Sequence, residues 1–411
     1  MHITFLLTSV FFISCSEDNI AELWTDRAEF AFYAQYFNAS QNNYKIEVRQ
    51  FNDLTNALTN TKEKPDIVAG SWLKSKTISS RWRPLNFILN KHPNLQKSFY
   101  PPLLALGKIG KNQYLFPVSF DLPIIIFSKN NNITLSNPFT IDLEEIRNTA
   151  KVYNVEKNGI FSRMGFSPLW NNEFLYQTAV LFGASFKEDS PLEWNTDALN
   201  ATTDYIKNWI HEIDGGVQTE DDFIYKYFFD PPSKLVTTGR ILFAYMRLSD
   251  FFTTASEVRS NLDFRMLAGD KTIPVCESEC FYALDKKGNS KGASVAFTEW
   301  FFNETTQSLL LEESRKNHLA DTIFGIAGGF SAMQTVTENI FQQFYPGLLG
   351  HQPYADFLVP ANILPQNWPQ IRDRVVIPYI REQARNPGES KNDLEDRIAE
   401  WLRFNKREFS Q

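Results

Sequence analysis

Polar residues are sparse from Ile3 to Ile13, after which Ser14-Cys15 leads into the polar stretch Ser16-Glu17-Asp18-Asn19. A membrane-spanning helix needs about 20 apolar residues, so this run is too short to cross a bilayer. It has the length of a secretory h-region, with a small residue ahead of a cleavage point. A buried first strand fits the same pattern.

Downstream the periodicity alternates between two and 3.6. Ala21-Glu22-Leu23-Trp24 reads as a short strand, and Asp26 with Glu29 forms a reciprocal helix-capping pair. Phe30, Tyr33, Ala34 and Phe37 then share one helical face. Tyr44, Ile46 and Val48 alternate with Lys45, Glu47 and Arg49, as a half-exposed strand does. A short helix from Leu54 leads to the apolar strand Pro65–Ala69, closed by Gly70. This β-α-β-α-β order predicts a parallel, doubly wound sheet, whose ligands bind at loops leaving the strands' carboxyl ends.

Phe116–Phe127 carries Pro117, Asp121 and Pro123, which a central strand tolerates poorly; a segment passing between two lobes accommodates them. Helices are expected over Asp142–Tyr153, Asn172–Phe182, Asp197–Ile210, Ser290–Phe302 and Asn392–Phe404, with a strand over Arg240–Met246. Asp214-Gly215-Gly216 breaks the third helix.

At 411 residues the chain exceeds the size of one hydrophobic core, so two lobes are expected. The net charge of −7 supplies no basic field for nucleic acid. The five histidines share no ligand-like spacing. Phosphate loops, a nucleophile elbow and a zinc-protease motif are all missing. A carboxylate-pair hydrolase stays open, since such a site needs only two correctly placed acids. Cys276 and Cys280 allow a small disulfide, two free thiols or half of a metal site.

Cys15, directly after the small residue, resembles the lipobox of bacterial lipoproteins, although the n-region has only His2 and Phe12 stands where Leu is usual. With Trp24-Thr25-Asp26, Pro65-Asp66-Ile67-Val68, Phe116–Asp121 and Ala244-Tyr245-Met246, the order of motifs resembles the family 1 extracellular solute-binding proteins, sugar-binding lipoproteins of bacterial ABC importers. The resemblance implies an α/β, two-lobed periplasmic-binding-protein fold of type II, with a hinge of crossing segments and a ligand cleft between the lobes. It implies a signal peptide over 1–14, a lipidated linker over 15–18, lobe one over 19–126 and 285–321, and lobe two over 127–284 and 322–411. Crossings are expected near 120–127, 280–286 and 324–329.

On the same resemblance the first lobe's contacts are Trp24, Asp26, Ser71, Trp72, Phe120 and Asp121. The second lobe's are Trp170, Tyr245, Arg247 and Asp250, with Phe324 at the last crossing. Aromatic faces cover a sugar ring while charged and amide groups pair with its hydroxyls. Alternative roles are loop packing for Trp24 and Trp72, a turn cap for Asp121, and an ion pair for Arg247 with Asp250. Trp194, Trp209, Trp300, Trp368 and Trp401 read as structural. The implied protein is a monomeric binder, not an enzyme, with no cofactor or metal, anchored outside the cytoplasm beside a permease. A surface hydrolase, an adhesin, or a receptor for a polyamine or peptide are the competing readings.

Overall fold

The computed structural model describes residues 17–270, 272–277, 279–386 and 393–405, so the signal run and Cys15 lie outside the described residues. The first sheet begins as the sequence predicts. Strand β1 (Ile20–Thr25) pairs parallel with β2 (Lys45–Gln50) and with β3 (Ile67–Gly70). Helices α1 (Glu29–Ser40) and α2 (Leu54–Asn60) make the crossovers, α2 capped by the Asp53 side chain on Asn56 N–H. The buried stripe of α1 is Phe30, Tyr33, Ala34 and Phe37, packed on Phe297 and Phe301. A fully buried aromatic side chain of this kind contributes about 2–3 kcal/mol.

Gly70 closes β3 because nothing larger fits. A Cβ there would lie 2.5 Å from Leu54 Cδ2 and 2.6 Å from Asp26 Oδ1. Gly70→Ala is therefore expected to cost about 1–3 kcal/mol through overpacking, measured as a lowered urea midpoint; an unchanged midpoint would show that Asp26 moves freely.

After the short helix α3 (Lys76–Ser79), strand β4 (Phe116–Phe120) joins the same sheet and β5 (Pro123–Ser128) joins another. The chain thus passes between sheets at Asp121-Leu122. β4 is an interior strand despite Pro117. It is tolerated because the ladder with the neighbouring strand shifts register there, where a missing N–H costs no bond.

The second lobe contains β5, β6 (Thr140–Ile141), α4 (Leu143–Tyr153), α5 (Asn172–Leu181), α6 (Thr196–Glu212), α7 (Val217–Tyr227), β7 (Phe243–Arg247), α8 (Leu248–Thr253) and β8 (Leu262–Leu267). Its sheet runs β7-β5-β8-β6. β7 starts later than predicted: the Leu242 and Phe243 amides instead bond the Gly165 carbonyl. Asp142 caps α4 and Asn171 caps α5. Gly215 and Gly216 have φ of 74° and 92°, which ends α6 as the sequence suggested.

The chain then returns. β9 (Cys280–Leu284) lies between β4 and β3, α9 (Lys291–Phe301) covers the sheet, and β10 (Phe330–Ser331) pairs with β4. The first sheet's order is β10-β4-β9-β3-β1-β2. Residues 280–284 and 330–331, which the sequence reading put in the second lobe, are therefore hydrogen-bonded into the first sheet. The middle crossing falls earlier, over 268–279, and the last falls after Ser331. Trp368, α10 (Ile377–Arg385) and α11 (Leu394–Asn405) complete a second-lobe core with Leu175, Phe186, Ile206 and Ile210.

Candidate functional site

The loops leaving β1 and β3 are fastened to each other. Asp26 Oδ2 accepts from Ser71 N–H at 3.0 Å, Arg27 Nη2 donates to Ser71 Oγ at 2.9 Å, and Arg27 Nε lies 3.6 Å from Asp26 Oδ1. Asp26 therefore does not cap α1, whose cap position is Ala28 with no side-chain bond. Its carboxylate is spent on the neighbouring loop.

From there the first lobe reaches across. Trp72 has φ of 64°, a left-handed conformation costly for a bulky residue. Its half-buried ring packs against the second-lobe core that holds Leu169, Tyr176 and Trp368. Two residues on, Lys74 Nζ pairs with Glu279 Oε2 at 3.3 Å, both side chains buried. Glu188 of the second lobe accepts from Ser75 Oγ at 3.1 Å and from Lys76 N–H at 2.7 Å, closing a clasp between lobes at the start of α3.

Two crossings run side by side beneath these contacts, since Cys276 N–H donates to the Asp121 carbonyl at 2.9 Å. Asp121 is buried, and both its carboxylate oxygens are taken. Oδ1 accepts from the amides of Leu122 (2.8 Å) and Ser249 (3.1 Å), and Oδ2 from Ser249 Oγ at 2.5 Å. It caps its own turn and pins the start of α8. Burial pushes its pKa up to about 6, held there against still higher values by the Ser249 and Leu122 hydrogen bonds.

Around this fastening lies a buried polar floor. Arg247 grips Glu173 through Nη2 at 2.7 Å and Nε at 2.9 Å. The Cys276 thiol faces Glu173, Asp121, Arg247 and Glu279, and burial raises its pKa well above the usual range. Tyr245 is buried beside the same groups, its hydroxyl without a partner. Glu277 accepts from Tyr176 OH, from Trp368 Nε1 at 2.7 Å and from Arg372 Nη1 at 3.2 Å. A cavity of about 210 Å³ opens next to Glu277, and the buried Gln177 on its wall has an amide oxygen with no partner.

Of the residues read from sequence, Asp26, Ser71, Trp72, Asp121, Tyr245 and Arg247 lie on or beside the interlobe junction. Others do not. Trp24 is 1% exposed, packed on Phe51 in a first-lobe core with Leu54, Val68 and Trp82. Phe120, also 1% exposed, is stacked on Phe330 and edged by Tyr100. Phe324 is walled in by Phe252, Phe330, Phe341 and Tyr345. These three aromatics are core residues, because each lies under a sheet or helix layer. Trp170 is half-buried, one face covered by Phe223 at 5.7 Å and 12°. Asp250 is exposed on α8, and the partner of Arg247 is Glu173 instead.

The cysteine pair is two buried free thiols in this structure. Cys280 faces Arg27 and Asp26, whereas Cys276 faces the Glu173 group, so their surroundings differ. Among the described residues, no three or more His, Cys, Asp or Glu side chains converge as metal ligands would. Glu173, Glu277, Glu279, Lys74 and Arg372 were missed by sequence reasoning. The available signal was the acidic interleaving of Cys276-Glu277 and Glu279-Cys280, charged residues inside an apolar segment. The floor offers paired donors and acceptors, suited to hydroxyl groups.

Comparison with known proteins comes to the same fold. A family model described as a bacterial extracellular solute-binding protein matches residues 33–314. The sugar-binding protein MalE from Xanthomonas citri is similar in structure, with TM-score 0.66 and 11% identity over 95% of this chain and 99% of that one. An ABC substrate-binding protein from Listeria monocytogenes, in complex with cycloalternan, gives 0.62 and 14% over 95% and 98%. A cyclic α-maltosyl-1,6-maltose binding protein from Arthrobacter globiformis gives 0.60 and 13% over 92% and 96%. Sequence comparison with curated proteins finds no match.

Proposed function

The chain belongs to the bacterial extracellular solute-binding proteins, and on that premise we propose that it captures a small carbohydrate between its lobes and delivers it to an ABC importer. The observation that carries the reading is the buried polar floor at the paired crossings, flanked by Arg247–Glu173 and Glu277–Arg372, with Trp72 packed on the adjoining second-lobe core. Such a floor can trade hydrogen bonds with sugar hydroxyls once the lobes part and reclose around them. The structural neighbours named for oligosaccharides point the same way. Asp26, Ser71, Trp72, Tyr245 and Arg247 remain the proposed contacts, joined by Glu173, Glu277 and Arg372; Asp121 serves as the fastening of the hinge. The body works as a monomer, held outside the cytoplasm by a lipid on Cys15 and paired with a membrane permease. The engagement of Asp121, Glu173 and Glu277 by hydrogen bonds and ion pairs favours binding over hydrolysis.

Thermal unfolding against mono- and oligosaccharides, polyols, polyamines and peptides tests this. A ligand at 100 times its dissociation constant adds about 2.7 kcal/mol to the folded state. A saccharide-specific rise in Tm, abolished by Trp72→Ala, is expected. A rise with polyamine or peptide alone replaces the sugar by that class. Accumulating product would make the protein a hydrolase, and no rise with any class would leave a surface protein without a receptor role.

A further inference from the structure

A cavity of about 740 Å³ on the first lobe is lined by cations. Lys62, Lys64, Arg81, Lys286 and Lys287 converge there with Glu63 and Asp285. The two carboxylates are already used: Asp285 accepts from Arg81 Nε and Nη2 at 3.0 and 2.7 Å, and Glu63 pairs with Arg49. All four lysines are exposed, and among the described residues none has an ion pair. In a chain of net charge −7 this is a local excess of positive charge.

Its position matters more than its charge. The loop that carries Lys286 and Lys287 is bonded to Asp66, since Asp285 N–H donates to the Asp66 carbonyl and Ser290 N–H to its Oδ1 at 2.7 Å. The same loop ends against the first described residues, where Gly292 N–H donates to Asp18 Oδ1 at 3.0 Å and Ser290 bonds the Ile20 carbonyl. Lys291 is exposed at that junction. The positive face and the place where the N-terminal segment meets the fold are thus one end of the first lobe.

We propose that this end docks on an anionic lipid surface. The inference rests on the lipid anchor at Cys15 proposed above. Two residues of chain from Cys15 to Glu17 reach at most about 7 Å, within the Debye length of about 8 Å at physiological salt. An anchor there holds this end of the lobe at the bilayer, where lysines that come within about a Debye length are drawn to anionic headgroups. The docked end fixes how the lobes stand over the membrane, with the first lobe down.

The test uses the full processed chain reconstituted on vesicles of neutral phosphatidylcholine alone or with 30% phosphatidylglycerol. A membrane-impermeant amine-acylating reagent labels exposed lysines, read site by site by mass spectrometry. Lys62, Lys64, Lys286, Lys287 and Lys291 are expected to react at least threefold more slowly on the anionic vesicles, with Lys151 and Lys226 of the second lobe unchanged. Salt at 0.5 M should erase the difference, and the combined Lys62→Gln, Lys64→Gln, Lys286→Gln and Lys287→Gln variant should lose the protection of Lys291. Equal labelling on both vesicles overturns the proposal. So does equal protection by inorganic phosphate with neutral vesicles, which would make the face a pocket for free anions. The mass of the N-terminal peptide in the same digest reports the anchor separately. A lipid-free Cys15 with protection still present on anionic vesicles would remove the anchor and keep the docking face.

Discussion

Lys74→Met is expected to destabilise the protein by about 3–5 kcal/mol, the usual cost of stripping one partner from a buried ion pair. Glu279 has a side chain only 1% exposed, and Lys74 Nζ at 3.3 Å is its ion-pair partner; its other oxygen has no hydrogen bond. Burial already raises the Glu279 pKa, and the lysine is what lowers it again. Without the amine, the folded chain must bury an uncompensated carboxylate or take up a proton. The deficit should therefore shrink in acid, where Glu279 protonates at little cost. Adding Glu279→Leu to Lys74→Met should recover most of the loss, since an apolar pair of similar volume often matches a buried salt bridge. Urea midpoints at pH 7 and pH 4.5 read all three proteins. A Lys74→Met midpoint equal to wild type at pH 7 would mean that the two side chains are solvated, with the lobes apart at that point.

Glu220→Gln is expected to do the opposite and stabilise the protein at high pH. Glu220 and Asp214 are both fully buried at the junction of α6 and α7. Ser167 Oγ donates to Glu220 Oε1 at 2.6 Å, while Glu220 Oε2 and both Asp214 oxygens have no partner. The cations that face Glu220, Arg381 and Arg385 from α10, act from a distance, as Arg147 of α4 does on Asp214. Burial pushes Glu220 up to about 7 and raises Asp214 well above the usual carboxylate range, with Glu220 adding to the latter. A raised folded-state pKa gives stability that is fully present below the unfolded value, near 4.5, and lost as pH climbs through about 7. At 1.36 kcal/mol per unit the loss is about 3 kcal/mol. Gln keeps the bond from Ser167 and carries no charge. The variant should match wild type near pH 4.5 and exceed it by about 3 kcal/mol at pH 8. A gap that stays constant between those pH values would rule out the buried ionisation.

These two clusters also mark where the sequence was readable. Periodicity found α1, β1, β2 and β3 because each has one buried face and one wet one. The parallel order followed from the crossovers. The family resemblance led to the two-lobed fold before any strand could be paired. Reading failed where burial depends on distant chain. Trp24, Phe120 and Phe324 look like loop and hinge aromatics in sequence, yet residues outside their own elements bury them, Val68 and Trp82 over Trp24, Tyr100 and Phe330 over Phe120, and Phe252 and Tyr345 over Phe324. Pro117 argued against an interior strand because a register shift in the ladder leaves no trace in the sequence. Glu277 and Glu279 went unread because carboxylates in sequence look exposed until their partners, Arg372 and Lys74, are known.

The place of β9 has a consequence for how the molecule is made. It sits between β4 and β3 in the sheet, yet it is built from residues 280–284. A growing chain can complete the second sheet from residues 123–267 while β4 has no bond to β3, and only β10 at 330–331 finishes that edge. Of the two sheets, the one that starts first is the last to close. Such long-range pairing folds slowly, which suits the extracytoplasmic placement proposed above, since a chain that crosses a membrane unfolded acquires its shape on the far side.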